Sequence, residues 1–427
     1  MTEERDIGLP ARRAAIDIVS SALARRSGMD EALSRSGFRN LDPRDRGFAM
    51  ALAMAVLRRL GPIELALDAR LAKPPPEAVR NILRIGVAQA FLMDTPAFAA
   101  VTTSVDLAAS HSSTRAFKGL VNGVLRGLLR DPPKLDEPET LCPPWLYARW
   151  AAAYGAEAAH AMAALIADEP ATDLTPKAAP DAEALAQALD AEILSGPTLR
   201  TARKGDVAAW PAYGEGRWWV QDASAAIPAR LLEAGPGMSA LDLCAAPGGK
   251  TLQLAAAGAQ VVALDRSAAR LKRVDENLAR MGLTAETIAA DAGEWDDARA
   301  FDTVLLDAPC SATGTYRRHP DVLWAARPGD VAALAAVQSR LLDSAAGRVK
   351  PGGRLVYCVC SLEPEEGEAQ VAAFLSRRGG FAIEPAVPGE AGAPEASLRP
   401  DGTLRLLPHH RPGGQDGFYV ARLKRES

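Results

Sequence analysis

The sequence predicts an α/β protein: a doubly wound, Rossmann-like parallel sheet, preceded by an all-α domain and a small connecting subdomain. Three observations carry this. Ala/Leu-rich segments with 3.6-residue periodicity fill residues 10–131. From Trp218 onward, strand and helix patterns alternate, the mark of a parallel sheet. A glycine-rich turn, Asp242-Leu-Cys-Ala-Ala-Pro-Gly-Gly-Lys-Thr251, follows the first of these strands, and Cys310 and Cys360 leave later ones.

Taken in order, Ala14–Leu23 and Phe48–Leu57 are the first strongly helical stretches, and Val79–Met93 and Phe117–Leu129 repeat the pattern. Pro74-Pro-Pro76 and Pro132-Pro133 punctuate the run, which gives a first domain over 1–135. Residues 136–215 are read as the connecting subdomain. Helices begin at Pro143-Pro-Trp and run over Ala156–Ile166, and another covers Asp181–Leu189. The third domain spans 216–427. Its predicted strands are Ala240–Leu243, Gln260–Asp265, Thr284–Ala290, Thr303–Asp307 and Gly353–Val359. Helices are expected over Ala268–Met281, Val331–Val349 and Glu365–Ser376, and a terminal hairpin over Thr403–Leu407 and Phe418–Leu423.

Composition narrows the class. At 427 residues with 48% apolar content, the chain has room for two or three globular domains. Five cysteines without regular spacing form no disulfide framework and point to a reducing compartment. Cys358-Val-Cys360 is too close for a zinc pair of the usual spacing, so no metal is expected. The stretch Thr2–Asp6 is polar, unlike a signal peptide, and no apolar run reaches transmembrane length. A cytoplasmic, monomeric protein with no membrane contact is expected. The net charge of −4 excludes a generally basic nucleic-acid binder. However, residues 1–135 hold 20 Lys and Arg against 14 Asp and Glu, while the remainder holds 29 against 39. That asymmetry fits a basic binding module or, equally, a solvated helical surface.

In a doubly wound sheet, ligands bind beyond the carboxyl ends of the strands, at the switch point. The turn Ala246-Pro-Gly-Gly249 stands there, and the helix after it begins near Lys250 with its N-terminus toward the same space. Asp265 ends the second strand, where it can bind ribose hydroxyls; Asp291, after the third, can reach an adenine edge. The dinucleotide fingerprint Gly-x-Gly-x-x-Gly is absent, which disfavours a nicotinamide dehydrogenase. An ordinary tight turn is the alternative reading.

Cys360 is expected between a strand and a helix starting at Pro364, where a thiol's pKa falls. Glu363, Glu365 and Glu366 oppose that effect while favouring the helix. Cys310 follows Pro309 in a stiff loop. Cys142 and Cys358 are read as small buried hydrophobes, and Cys244 as packing within the turn. Arg317-Arg-His319 is either a phosphate contact or an exposed basic turn. Two thiols and a nucleotide-type site on one sheet edge suit attack on an aromatic base followed by group transfer to it.

These passages, with Arg318-His-Pro-Asp321, Tyr357-Cys-Val-Cys-Ser-Leu-Glu-Pro-Glu-Glu366 and Asp416-Gly-Phe-Tyr, resemble the S-adenosylmethionine-dependent RNA cytosine-5 methyltransferases of the NOL1/NOP2/Sun group. The likeness runs from about Pro143 to the end. The N-terminal helices look like the antitermination-factor NusB fold, through Asp45-Arg-Gly-Phe-Ala and Phe117-Lys-Gly-Leu-Val-Asn-Gly-Val-Leu-Arg126. Departures are Val-Cys-Ser at Cys360, Gln221-Asp-Ala-Ser-Ala, and Thr172-Asp-Leu-Thr-Pro-Lys, where Pro176 is expected to weaken a strand.

The resemblance implies a covalent mechanism: Cys360 attacks carbon 6 of a cytosine, Asp307 contacts the base, and Cys310 assists release. It implies that Cys244, Ala245, Ala246, Pro247, Gly248, Gly249, Lys250, Asp265, Asp291 and Asp307 bind S-adenosylmethionine. The implied substrate is RNA, with 16S rRNA favoured by the NusB-like domain. The same chemistry on tRNA, an RNA-binding assembly factor with an inactive methyltransferase fold, and a small-molecule methyltransferase are the alternatives.

Overall fold

The computed structural model describes residues 8–24 and 28–427; the polar stretch Thr2–Asp6 lies outside them. The chain divides into two compact units, one of residues 1–169 with 318–326, the other of 170–317 with 327–427. The stretch 136–215, expected as one subdomain, is therefore shared between them.

The first unit is helical: α1 (Leu9–Leu23), α2 (Gly28–Ser34), α3 (Ser36–Arg39), α4 (Pro43–Arg58), α5 (Leu60–Asp68), α6 (Glu77–Leu92), α7 (Ala97–Ala109), α8 (Lys118–Arg130), α9 (Pro144–Tyr154) and α10 (Ala156–Ala164). Local chemistry sets the ends. Asp42 caps α4 by accepting from Asp45 N at 2.8 Å, and Pro43 pre-sets its first turn. α6 runs through the middle and is buried on most sides, from Val79 to Gln89. Its two arginines are neutralised from α5: Arg80 Nε and Arg84 Nε each donate to Glu64 at 2.7 Å. Part of the basic surplus read from the sequence is thus spent internally.

In the second unit, β1 (Thr172–Pro176), β2 (Ala191–Leu194), β3 (Thr198–Thr201) and β4 (Trp218–Val220) form an antiparallel sheet in the order β2-β3-β1-β4, with α11 (Ala182–Leu189) between β1 and β2. Leu174, Leu199 and Trp218 meet Leu185 and Leu189 of α11. The other face carries a bidentate pair, Arg200 with Asp173 at 2.7 and 2.8 Å. Contrary to expectation, Pro176 does not disrupt β1. It lies past the β1–β3 ladder, which ends at the Leu174–Leu199 pair, so no bond to β3 is lost.

The large sheet contains β5 (Ser239–Leu243), β6 (Gln260–Asp265), β7 (Glu286–Ala289), β8 (Phe301–Asp307), β9 (Val349–Val359), β10 (Phe381–Ile383), β11 (Leu404–Leu406) and β12 (Phe418–Arg425). Its order is β10-β12-β9-β8-β5-β6-β7, with β11 beside β12. β9, β8, β5, β6 and β7 run parallel to one another, while β12 pairs antiparallel with β9, β10 and β11. The connections run outward from β5 through β6 to β7, then return to β8 on its other side, so the switch point falls between β5 and β8.

Helices α12 (Ile227–Leu231), α13 (Gly249–Ala256), α14 (Ala268–Met281), α16 (Pro328–Gly347) and α17 (Glu368–Arg377) cover this sheet, while the short α15 (Asp321–Ala325) belongs to the first unit. Alternate residues along the strands separate the two cores. Val304, Leu306, Leu355 and Tyr357 face Leu341, Leu342 and Phe374. Leu305, Val356 and Cys358 face Ile227 and Leu254. Among the described residues, no helix is long and apolar enough to cross a membrane, and no group of three or more His, Cys, Asp or Glu is placed to hold a metal.

Leu306 is fully buried in the first of these cores. Leu306→Ala is expected to destabilise the second unit by about 2–5 kcal/mol, read as an earlier urea transition in the full chain.

Candidate active site

The glycine-rich turn leaves β5 at Leu243, and α13 begins six residues later. Cys244 (φ 62°) and Gly248 (φ 105°) adopt left-handed conformations, and the Ala246–Pro247 bond is cis. A Cβ on Gly248 would press on Val274 Cγ1 at 3.2 Å, so glycine serves both backbone and packing there. Asp265, at the end of β6, accepts from Ala246 N (3.2 Å) and Ser267 N (2.9 Å), which fixes the turn against the neighbouring strand. Asp242 is fully buried. Thr251 Oγ1 donates to its Oδ2 at 2.6 Å, while its Oδ1 has no hydrogen-bond partner. Burial pushes its carboxyl up to about 7.

Lys250, the second residue of α13, folds its ammonium onto Asp307 Oδ2 at 2.7 Å, at the end of β8. Burial alone would lower its pKa; Asp307 and its other acidic neighbours raise it instead, so the ammonium persists. The other oxygen of Asp307 accepts from Cys358 Sγ at 3.4 Å. Burial, then Asp307, hold the Cys358 thiol well above its ordinary pKa. Cys358 is fully buried in the core, as the sequence reading had it, and Cys142 is too.

Cys310 and Cys360 come together, with their sulfurs 3.4 Å apart. The strand ends are stitched beneath them: Ala308 N donates to Cys358 O at 3.0 Å and Gly314 N to Cys360 O at 2.9 Å. Any side chain on Gly314 would collide with Gly417 O at 2.1 Å, and Gly417 N donates back to Gly314 O at 2.8 Å. The Asp416-Gly-Phe-Tyr passage is therefore the floor of the thiol loop. The Cys310 thiol is held well above its usual pKa by its contact with Cys360, by burial, and by the Cys360 and Glu366 charges.

Three readings need correction or completion. The helix after Cys360 starts at Glu368, not Pro364, and residues 363–367 form a turn in which Gly367 N and Ala369 N donate to Pro364 O. Gly367 is non-helical (φ −106°, ψ −97°), and a Cβ there would lie 2.8 Å from the Tyr419 ring. Arg317 is no exposed turn: it is 3% exposed and donates to Gly413 O at 2.7 Å. Asp291 lies two residues beyond β7, accepting from Gly293 N at 2.7 Å and Arg340 Nη1 at 3.2 Å; the Gly293 amide is the main reason its pKa is lowered. Cys244 is pushed up to about 12 by burial and then by the surrounding acids, which suits packing rather than attack.

The sequence reading missed the inward role of Glu366. It sits in an acid run that reads as a helix start; Glu363 is as fully buried, and what sets Glu366 apart is that it accepts from both Ser311 and Ser361.

Asp242 also makes a pH prediction. Its folded pKa of about 7 exceeds the unfolded 3.8, so its contribution to stability is complete below pH 3.8 and is lost as pH rises through 7. Asp242→Asn is expected to flatten the stability profile across that window, measured by thermal unfolding from pH 4 to 8.

A family model for the 16S rRNA methyltransferase RsmB/F matches residues 229–424, and a NusB family model matches residues 9–130. Ribosomal RNA small subunit methyltransferase B of Pseudomonas syringae pv. tomato is 38% identical, with 96% of each chain covered. The protein of the same name from Vibrio cholerae serotype O1 is 35% identical over 90% of each. Among solved structures, PH0851 shares the fold over 98% of this chain and 99% of its own, with a TM-score of 0.79 at 23% identity. NSun6 from Pyrococcus horikoshii with SFG covers 67% of this chain and 98% of its own, with a TM-score of 0.57 at 20% identity. On the strength of those whole-length relatives, the chain belongs to the RsmB/F family of 16S rRNA methyltransferases, with a NusB-family domain preceding its mixed α/β catalytic fold.

Proposed function

We propose that this protein transfers a methyl group from S-adenosylmethionine to carbon 5 of a cytosine in 16S rRNA, through a covalent bond between Cys360 and the base. The observation that carries the proposal is the pair of sulfurs 3.4 Å apart beside the Lys250–Asp307 ion pair. The names of the relatives support the choice of RNA.

The residues fit that cofactor. Asp265 and Asp307 end the strands on either side of β5, and Asp291 follows β7. A cluster of carboxylates suits ribose hydroxyls and a sulfonium cation, and would repel a pyrophosphate. The turn from Cys244 through Ala245, Ala246, Pro247, Gly248 and Gly249 to Lys250 brings backbone to the same edge. When bound, the cofactor supplies the electrophilic methyl group that carbon 5 takes.

The chain's own residues do the rest. Cys360 Sγ bonds to carbon 6 of the ring, and the electron pair of the carbon 5–carbon 6 double bond becomes available at carbon 5. Asp307, oriented by Lys250 Nζ, contacts the base and balances charge developing on the ring. Cys310 assists release: carbon 5 gives its proton to water acting as base, the carbon 5–carbon 6 double bond re-forms, and the carbon 6–sulfur bond breaks with its electron pair returning to Cys360 as thiolate. The target base must be unpaired, or turned out of its helix, to reach the thiols. The basic helical domain is assigned RNA contacts, and the protein is taken to act as a monomer in the cytoplasm.

Methyl transfer from labelled S-adenosylmethionine to unmodified small-subunit rRNA tests this. Cys360→Ala is expected to be inert, and Cys310→Ala to accumulate a denaturant-stable protein–RNA adduct. Methylation by Cys360→Ala would move the nucleophile elsewhere; inert wild type that still binds RNA would favour tRNA or an assembly role. Asp307→Asn is expected to lower kcat by about 10²–10³ while leaving the fold intact, measured under saturating RNA.

A further inference from the structure

The two thiols ride on loops that leave different strands, and no covalent link joins them. The backbone stitches of Ala308 to Cys358 and Gly314 to Cys360 bring the loops together, and one buried carboxylate bonds the residue that follows each thiol. Glu366 is fully buried. Its Oε1 accepts from Ser311 N at 2.9 Å and from Gln338 Nε2 at 3.0 Å. Its Oε2 accepts from Ser361 Oγ at 2.5 Å and from the Ser311 hydroxyl. Ser311 directly follows Cys310, and Ser361 directly follows Cys360. Gln338, on α16, donates as well to Pro309 O at 3.0 Å, on the other side of Cys310. Tyr357 OH donates to the Glu366 carbonyl at 2.6 Å, which anchors the carboxylate's own backbone to β9.

We propose that Glu366 is the positioning residue that sets the separation of the two thiols, and that its loss falls mainly on the Cys310-dependent release of the methylated base.

Four donors converge on the side chain, and no Lys or Arg among the described residues pairs with it. Burying a carboxylate without a counter-ion is costly, and a full set of charge-assisted hydrogen bonds is what makes it tolerable. The charge has a geometric use. Two oxygens offer four acceptor sites, matching four donors. An amide at the same position offers one acceptor oxygen for the two N–H donors, and its own N–H group is satisfied only if the two serine hydroxyls turn from donating to accepting. Glu366→Gln therefore keeps the volume, removes the charge and reverses the two hydroxyl bonds. All four bonds lose their charge assistance, so the clamp between the loops weakens. Cys360 remains held through its backbone carbonyl by Gly314 N, and Ser361 O accepts from Arg405 Nη1 at 2.6 Å. Ser311 supplies two of the four donors to Glu366 and Ser361 only one, so the Cys310 loop is the one expected to drift.

This inference rests on the proposed division of labour between the thiols, and two measurements separate its failure from that of the division. The first needs no RNA. A trivalent arsenical that bridges two close thiols is titrated into the full-length protein, with Cys310→Ala and Cys360→Ala as controls. Wild type should bind it tightly, and Glu366→Gln about tenfold more weakly at unchanged cofactor affinity. The second is single-turnover methylation: Glu366→Gln should accumulate protein–RNA adduct, with release slowed about tenfold or more and adduct formation much less affected. If Glu366→Gln does not fold, Ser311→Ala, which removes one hydroxyl donor and leaves the amide bond, should shift both readings in the same direction by less. Wild-type arsenical affinity and wild-type release in Glu366→Gln, beside a trapped Cys310→Ala adduct, would overturn the inference alone. Equal slowing of both steps without adduct would reduce Glu366 to a structural role and overturn it too. Normal turnover by Cys310→Ala would instead sink the reading of the thiols on which it rests.

Discussion

The parallel register of β8 against β9 is the constraint on which the site depends. Leu306 lies opposite Tyr357 and Asp307 opposite Cys358, so the two strands end level with each other. That alone delivers Cys310 and Cys360, fifty residues apart in sequence, to one point. A slip of one residue would exchange the faces of β9, sending Cys358 and Val356 toward α16 and Tyr357 toward α12. The opposed cores forbid this, because Tyr357 and Val356 each fill space on one side only. Hydrophobic burial thus sets the geometry of polar chemistry at the strand ends.

Charge at that edge is organised by burial rather than by exposure. Lys250 and Asp307 neutralise each other next to the thiols, and the ammonium also lies 5.4 Å from the Phe418 ring. A lysine with that partner stays cationic, so it can hold Asp307 in one orientation without competing for protons. Glu366 works differently, since it is held by dipoles alone. The two arrangements give the site one fixed ion pair and one fixed anion. A low-dielectric surrounding makes both more rigid than they would be in water.

The small antiparallel sheet serves the catalytic unit through the face opposite α11. Asp173 accepts from Ala223 N at 3.0 Å, and Arg200 reaches Pro412 O at 2.9 Å. Thr175 Oγ1 donates to Gln221 Oε1 at 2.9 Å, and Gln221 Nε2 to Gln253 of α13 at 2.7 Å. The passage Gln221-Asp222 is therefore a bracket: Asp222 Oδ1 accepts from Ser224 N at 2.8 Å and from Asp416 N at 3.1 Å. It ties the small sheet to α13 and to the floor of the thiol loop. Stretches that depart from the family resemblance, at Thr172–Lys177 and Gln221–Ala225, thus have a structural duty within this unit.

The sequence by itself determined the helical first region, the alternating strands and helices after Trp218, the glycine-rich turn and the strand-end acids, but not the small antiparallel sheet. Periodicity and turn chemistry are local properties, and Asp265, Asp307 and Gly248 announce themselves by their distance from a strand's end. It also marked Cys310 and Cys360 as the thiols leaving strands. Tertiary structure alone decided what lies across a gap. The start of the last long helix moved from Pro364 to Glu368 because Glu366 is drawn inward, its carboxylate to Ser311 and Ser361 and its carbonyl to Tyr357 OH. Pro176 could stay in a strand, paired with Trp218 of β4, because the ladder to β3 on its other side stops at Leu174. Arg317 turned inward to Gly413, and Glu366 turned inward to two serines, for the same reason. A charged residue's fate depends on which donors or acceptors the fold brings to it, and composition carries no record of partners that distant.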